Sequence, residues 1–200
     1  MEMFEEGKVY ELLLVTKSNV TPVGIVKNGN KFHFKLFEGK SAKDIREHPY
    51  GVLHITWDVD ILVRTALNLP CELEWEDSKT IPLKKIKNLP NIEGKIEFQE
   101  DLIKDSLGEA RILRCSLIPS RIEVFPVSNP PLSRADFYLL EMAINLTRLY
   151  VATRKLNVKE AQNIYSKIWV EYRTYKRLGG KNKLAEKIMG FATAALRWNP

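Results

Sequence analysis

The chain has 200 residues, 44% of them hydrophobic, with two cysteines and a formal net charge of +6. That length suits one domain or two small ones and buries a core without staples. Two cysteines form neither a disulfide framework nor a zinc pattern, no apolar run reaches the length of a membrane span, and the acidic start MEMFEEGKVY lacks a signal-peptide core, so a cytoplasmic protein with reduced Cys71 and Cys115 and no membrane partner is expected.

Lys, Glu and Ile are abundant and glutamine occurs only at Gln99 and Gln162, a composition common in thermophiles. The charge is uneven. From Ser133 onward there are 13 Lys+Arg and 5 Asp+Glu, a balance of +8, which leaves −2 for the preceding residues. A basic third of a chain suits nucleic acid or an anionic ligand, or is the solvated face of helices.

In chain order, residues 10–15 read as a buried strand. Residues 21–27 and 31–36 read as two more, joined at Asn28-Gly29, a strong hairpin signal. Phe32, Phe34 and Leu36 share one face of the second. Gly39, Lys40 and Ser41 follow, and Ser41 with Asp44 reads as a capping box opening a helix over 42–47, which stops before Pro49. Residues 50–56 form a strand. Asp58 or Asp60 caps a helix containing Ile61, Leu62, Thr65 and Ala66, closed by Asn68-Leu69-Pro70. Residues 71–75 alternate as a short strand, and 77–91, with two prolines and a run of lysines, read as a loop or edge segment. Strands are expected over 92–99, 111–118 and 121–125, the last two separated by Pro119. Several short strands with only small helices argue for a β-barrel.

Residues 126–136 (PVSNPPLSRAD) mark a boundary, giving domains 1–126 and 133–200. Ser133 with Asp136 caps a long helix with Leu139, Leu140, Ala143, Ile144 and Leu146 on its buried stripe. A second helix runs from Asn157, with Glu160 at the capping-box position, to Leu178 and ends at Gly179-Gly180. A third spans 183–198 and buries Leu184, Ile188, Phe191 and Leu196. Tyr165, Trp169, Tyr172 and Tyr175 repeat at helical spacing as a packing or dimer stripe rather than a base-stacking platform.

The chemistry legible in the residues is an anion site. A helix N-terminus presents free N–H groups and a positive dipole end, Lys40 adds a charge there, and Gly39 lets backbone approach a ligand. A Ser cap followed by Asp is also the ordinary start of a helix, and Asp44 would compete for those N–H groups. Gly-Lys-Ser is not a nucleotide P-loop, because Phe34 stands where that motif needs glycine. His33, His48 and His54 match no metal spacing, so no metal is expected.

SNVTPVGI (18–25), FKLFEGKSAKDI (34–45) and GVLHITWDVDILVRTAL (51–67) resemble, in that order, an archaeal family of FMN-binding split-barrel flavoproteins of unknown function. That family has an Asn-Ala-x-Pro-like turn after the first strand, a Phe-x-Gly-(basic)-Ser/Thr segment entering a helix that ends in Asn-Leu or Asn-Ile, and a Val-x-x-Ile-Thr-Asp-Asp-like segment. More distantly the order is similar to flavin reductases and pyridoxine-phosphate-oxidase-like proteins. The resemblance implies a mainly β fold with α, an FMN-binding split β-barrel followed by a C-terminal helical region.

It places Asn19, Val20, Thr21 and Pro22 at the turn facing the flavin ring. Phe37, Glu38, Gly39, Lys40 and Ser41 take the phosphate segment, and Thr56, Trp57 and Asp58 the segment approaching the flavin. Asp44 departs from the usual Asn and Trp57 from the usual Asp. The redox chemistry belongs to the flavin, so no catalytic side chain is named. The expectation is an FMN-dependent oxidoreductase or electron carrier, a homodimer, reduced by NAD(P)H docking transiently or by another donor. The alternative is a nucleic-acid or protein-binding module using the basic C-terminal helices. Nucleic acid is not the expected partner, because the charges are scattered along helices beside apolar stripes.

Overall fold

A computed structural model describes residues 3–66, 68–105, 108–124 and 131–197. The chain divides into two compact units, Met1–Leu132 and Ser133–Pro200.

The first unit is a closed six-stranded barrel. Its strands are β1 (Val9–Val15), β2 (Val20–Asn28), β3 (Lys31–Phe37), β4 (Tyr50–His54), β7 (Asn91–Asp105) and β8 (Gly108–Glu123), in the order β1-β2-β3-β8-β7-β4, and every pairing is antiparallel. Between them lie α1 (Lys40–Glu47), α2 (Val59–Ala66) and a two-stranded arm of β5 (Trp75–Asp77) and β6 (Lys84–Ile86). Alternation puts Leu12, Leu14, Ile25, Phe32, Phe34 and Leu36 inside the barrel with Ile92, Ile96, Leu113 and Leu117. The opposite face of β1 and β4, with Leu13, Val15 and Val52, is buried too, together with Leu62 of α2 and Ile81 and Ile86 of the arm. Burial on both faces is why 12–15 is one continuous apolar run.

Two strand expectations are corrected. Residues 71–74 carry no regular structure, and the strand there is β5. Pro119 does not break β8. Glu93 pairs with Arg121 and Gly94 with Pro119, so Ser120 is an extra residue in a bulge, its hydroxyl donating to the Glu93 carbonyl at 3.2 Å. A Cβ on Gly94 would lie 2.4 Å from the Ile118 carbonyl oxygen, so glycine is needed for the strands to close over the bulge. Phe125 and residues 126–130 lie outside the described residues.

The 77–91 segment forms β6 and a buried ion cluster. Lys85 Nζ lies 2.5 Å from Glu123 and 3.7 Å from Glu93. The buried Glu93 carboxylate accepts from the Lys79 and Thr80 amides and, at 2.7 Å, from the Thr80 hydroxyl. Burial alone would raise the Glu93 carboxyl; the Thr80 and Lys79 bonds outweigh it and hold it below the usual range. These contacts fasten the arm to the barrel.

The second unit packs α3 (Arg134–Arg154), α4 (Val158–Arg177) and α5 (Leu184–Arg197) around Met142, Leu146, Leu149, Ile168, Tyr175 and Ala192. Ser133 sits at the α3 N-cap but makes no side-chain cap bond, whereas Asn157 accepts from the Glu160 amide and caps α4. Leu140 and Ile144 of α3 are exposed, against expectation, as are Leu184 and Phe191 of α5, whose Ile188 is buried as expected, together with Ala185 and Met189. Trp198 lies outside the described residues. Tyr175 is buried, and Gly180 leaves room for its ring, which a Cβ there would meet at 2.2 Å. Trp169 stacks on Tyr172 with centroids 6.1 Å apart, a packing contact on α4.

Candidate functional site

β2 and β3 are paired only where Val26, Lys27 and Asn28 face His33, Phe32 and Lys31. Beyond that ladder the two strands have no registered partners on each other. Pro22, lacking an N–H, sits on this stretch of β2, where no ladder bond to β3 is lost. A cavity of about 510 Å³ opens in the gap. Thr21, Pro22 and Val23 line it from β2, Lys35, Leu36 and Phe37 from β3, Glu38, Gly39, Lys40 and Ser41 from the entry into α1, and Thr65, Ala66 and Asn68 from the end of α2, with Asn19 at the turn. Its volume lies in the range of about 300–1,000 Å³ usual for cofactor pockets.

Two expectations about the turn and the helix are corrected by this geometry. The turn comprises residues 16–19 alone, closed by the Thr16 amide on the Asn19 carbonyl at 2.9 Å, and Val20 joins Thr21 and Pro22 in β2, where the strand pattern over 21–27 had already put the latter two. Ser41 is not the helix cap either. α1 begins at Lys40 with Gly39 at its N-cap, and among the described residues there is no side-chain cap hydrogen bond. The Ser41 hydroxyl instead accepts from Asn19 Nδ2 at 2.9 Å, which ties the turn to the helix start.

Asp44 is turned away from the α1 N-terminus. Its carboxylate accepts from the Thr16 hydroxyl at 2.7 Å, the Ser18 amide at 2.7 Å and the Ser18 hydroxyl at 3.0 Å. Burial would raise this carboxyl, but the Thr16 and Ser18 bonds prevail and lower it. Asp44 therefore does not compete for the helix N–H groups, and it locks the β1–β2 turn against α1. Glu38, the one carboxylate on the cavity wall, is held by Arg46 in a bidentate pair at 2.8 and 2.9 Å, whose hydrogen bonds lower its pKa. Arg46 also binds Glu100 at 2.7 Å. With Glu38 matched by Arg46, Lys35, Lys40 and the uncapped helix end give the cavity a positive wall.

Of the twelve expected residues, Asn19, Thr21, Pro22, Phe37, Glu38, Gly39, Lys40 and Ser41 come together here. Val20 faces another cavity, of about 700 Å³, between the turn and the β5–β6 arm, and Asn19 lines both. Thr56, Trp57 and Asp58 do not line the first cavity. Asp58 Oδ1 accepts from the Asp60 and Ile61 amides and so caps α2, and the Thr56 hydroxyl accepts from the Asp58 amide at 3.1 Å. Thr56 and Asp58 thus position the helix whose last turn lines the site. The sequence reading missed Lys35, Val23, Leu36, Thr65, Ala66 and Asn68. Asn68 carried a signal: asparagine after a helix end adopts positive φ readily, and here φ is 53°.

Residues 10–124 match the N-terminal domain of a protein family of unknown function, DUF447. The chain is a member of the DUF447 family. The matched stretch contains every residue lining the β2–β3 gap. Among solved structures, the DUF447 chain is similar to an FMN-bound protein of the same family from Methanosarcina mazei (18% identity, 96% of this chain and 97% of that one, TM-score 0.45). It is also similar to nitrilotriacetate monooxygenase component B from Bacillus cereus (18% identity, 65% and 77%, TM-score 0.48) and to 2-nitrobenzoate 2-nitroreductase from Pseudomonas fluorescens (14% identity, 60% and 66%, TM-score 0.46). The DUF447 chain thus spans just under two thirds of the nitroreductase's length. No curated protein matches the sequence.

Proposed function

We propose that this chain binds FMN in the gap between β2 and β3 and works as a flavin-dependent oxidoreductase or electron carrier. The observation that carries the reading is the convergence on one cavity of Asn19, Thr21 and Pro22 with Phe37, Gly39, Lys40 and Ser41. A family member from Methanosarcina mazei is FMN-bound, and the stretch that places this chain in the family holds both segments.

The residues present fit the cofactor. The α1 N-terminus has no side-chain cap and no acidic residue in its first turn, so Gly39, Lys40 and Ser41 would hold the phosphate. Arg46 keeps Glu38 from opposing it. Asn19, held by Ser41, would present its carbonyl and backbone to the ring end, with Thr21, Pro22 and Phe37 as the walls. Bound flavin supplies the hydride and electron chemistry, and the chain's part is to bind, orient and exclude water. Val20, Thr56, Trp57 and Asp58 do not line this cavity. A homodimer with NAD(P)H or another electron donor completes the proposal.

The test is the absorption spectrum of the purified chain, followed by anaerobic titration. The expected protein is yellow, releases FMN on denaturation, and is bleached by dithionite and slowly by excess NAD(P)H. Colourless protein that takes up no added FMN overturns the flavin assignment. A spectrum that dithionite bleaches but NAD(P)H leaves unchanged overturns only the nicotinamide donor.

A further inference from the structure

Two walls face each other across the cavity of about 700 Å³ beside the β1–β2 turn, and a buried carboxylate fixes each of them. Asp44 holds the turn through the Thr16 hydroxyl and the Ser18 amide. Glu93 holds the β5–β6 arm through the Lys79 and Thr80 amides. Among the described residues no hydrogen bond joins turn to arm, so the gap between these two fixed walls is a formed pocket. Its volume suits a small-molecule ligand.

The lining divides by chemistry. Val15, Val20, Ile81 and Leu83 give it an apolar floor. Trp75 stands beside them on β5, a strand exposed throughout, and is 43% exposed. An indole left open next to an apolar floor is a stacking face for a planar ring. Lys17 and Lys84 line the same cavity, against one acid, Asp77. Neither lysine has a carboxylate partner among the described residues, and Lys17 Nζ lies 2.6 Å from His48 Nε2 instead. Two cations against one acid favour an anion.

We propose that this cavity binds a planar aromatic carboxylate, its ring on Trp75 and the apolar floor and its charge towards Lys17 and Lys84. Asn19 lines both this cavity and the β2–β3 gap, so the ligand sits one residue away from the flavin site. Asn19 also donates to Ser41 at the start of α1, so contact with the turn is felt in both cavities. The place beside a flavin rests on the function proposed above; the pocket itself does not.

Isothermal titration of the full chain with 2-naphthoate, and with 2-naphthamide as its uncharged isostere, tests this with and without FMN. The expected result is saturable binding of the carboxylate, roughly tenfold tighter than of the amide and weaker as salt rises. Trp75→Ala weakens it roughly three- to tenfold, and Trp75→Phe restores most of the loss. Lys84→Glu removes the preference for the carboxylate. Both positions are exposed, so circular dichroism stays unchanged. In the FMN-loaded chain, 2-naphthoate shifts the flavin absorption bands. No saturable binding, equal affinity for the amide, or binding that Trp75→Ala leaves intact overturns the pocket. Binding that does not move the spectrum of bound flavin overturns its place beside the flavin. A chain that takes up no FMN yet binds 2-naphthoate through Trp75 and Lys84 upholds the pocket and refutes the flavin reading alone.

Discussion

Single residues decide the two features most open to measurement. Lys40 is exposed on the wall of the β2–β3 cavity at the first position of α1. A hydrogen bond to a charged group contributes about 1.5–3 kcal/mol, so Lys40→Ala is expected to weaken FMN by roughly ten- to a hundredfold. It should leave riboflavin, which has no phosphate, nearly unaffected. Isothermal titration with both ligands checks this, and equal losses would move the phosphate elsewhere. His54 is the other case. Its Nε2 accepts from the Ile86 amide at 3.0 Å, so its proton is on Nδ1, and burial, aided by the Lys85 charge, lowers its pKa to about 3. The folded value lies below the ordinary 6.5, so the unfolded chain binds the extra proton between them, and stability present above pH 6.5 is lost as the pH falls towards 3. The loss should reach about 2 kcal/mol by pH 5. The lowered carboxylates Asp44, Glu93 and Glu123 lose their contribution only below their ordinary values of 3.8 and 4.5, so urea unfolding between pH 7 and 5 isolates His54. His54→Gln should flatten that dependence; an unchanged slope would refute the assignment. Neither role was legible in the sequence. A histidine in a strand pattern gives no sign of its depth, and Lys85, in a run of lysines read as a loop, turns out to be buried among glutamates.

Elements were legible where one strong local rule acts, and obscured where two faces of an element are used. The β2–β3 hairpin follows from Asn28-Gly29, and α4 from Asn157 with Glu160. α3 was misread because Leu139 and Leu146 belong to its inner stripe and Leu140 and Ile144 to its outer one, so a single-stripe pattern merged them. The capping patterns divide in the same way. Asn157, Ser133 and Ser41 all look like caps in sequence, yet only Asn157 makes the bond. Ser41 is claimed by Asn19, and the Ser133 hydroxyl is buried without a partner among the described residues. Asn157→Ala is therefore expected to cost about 1 kcal/mol. Ser133→Ala should cost nothing or stabilise slightly, since it removes a buried hydroxyl that makes no bond. Thermal unfolding of the two variants side by side checks the order, and a larger loss at Ser133 would contradict the helix starts described. The candidate site was legible as two segments but not as one cavity. The gap depends on where the β2–β3 ladder stops, and that is set by register rather than by local pattern.

At the scale of the whole molecule the charge is divided, with +8 from Ser133 onward and −2 before it. Such a division is the strongest argument for a nucleic-acid partner, and the side-chain arrangement bears on it. Tight binding of a phosphate backbone needs several cations aligned on one surface, each adding about 0.9 to the salt slope. In the helical unit Lys176 is paired with Glu186 at 2.9 Å, and Lys167 lies 3.9 Å from Glu171. On α3 the exposed face holds Leu140, Ile144 and Val151, with Glu141 between Arg134 and Arg148 in sequence, so its cations are interrupted by apolar side chains and an acid. A surface of this kind associates weakly with polyanions at low salt and releases them as screening rises. Fluorescence polarisation with mixed-sequence DNA and RNA is expected to show no saturable submicromolar binding at about 0.15 M salt, where the Debye length is only about 8 Å. Submicromolar binding with a steep salt slope, lost when Lys155, Lys159 and Arg173 are replaced by alanine, would make the basic helices a nucleic-acid surface and demote the flavin to a second role.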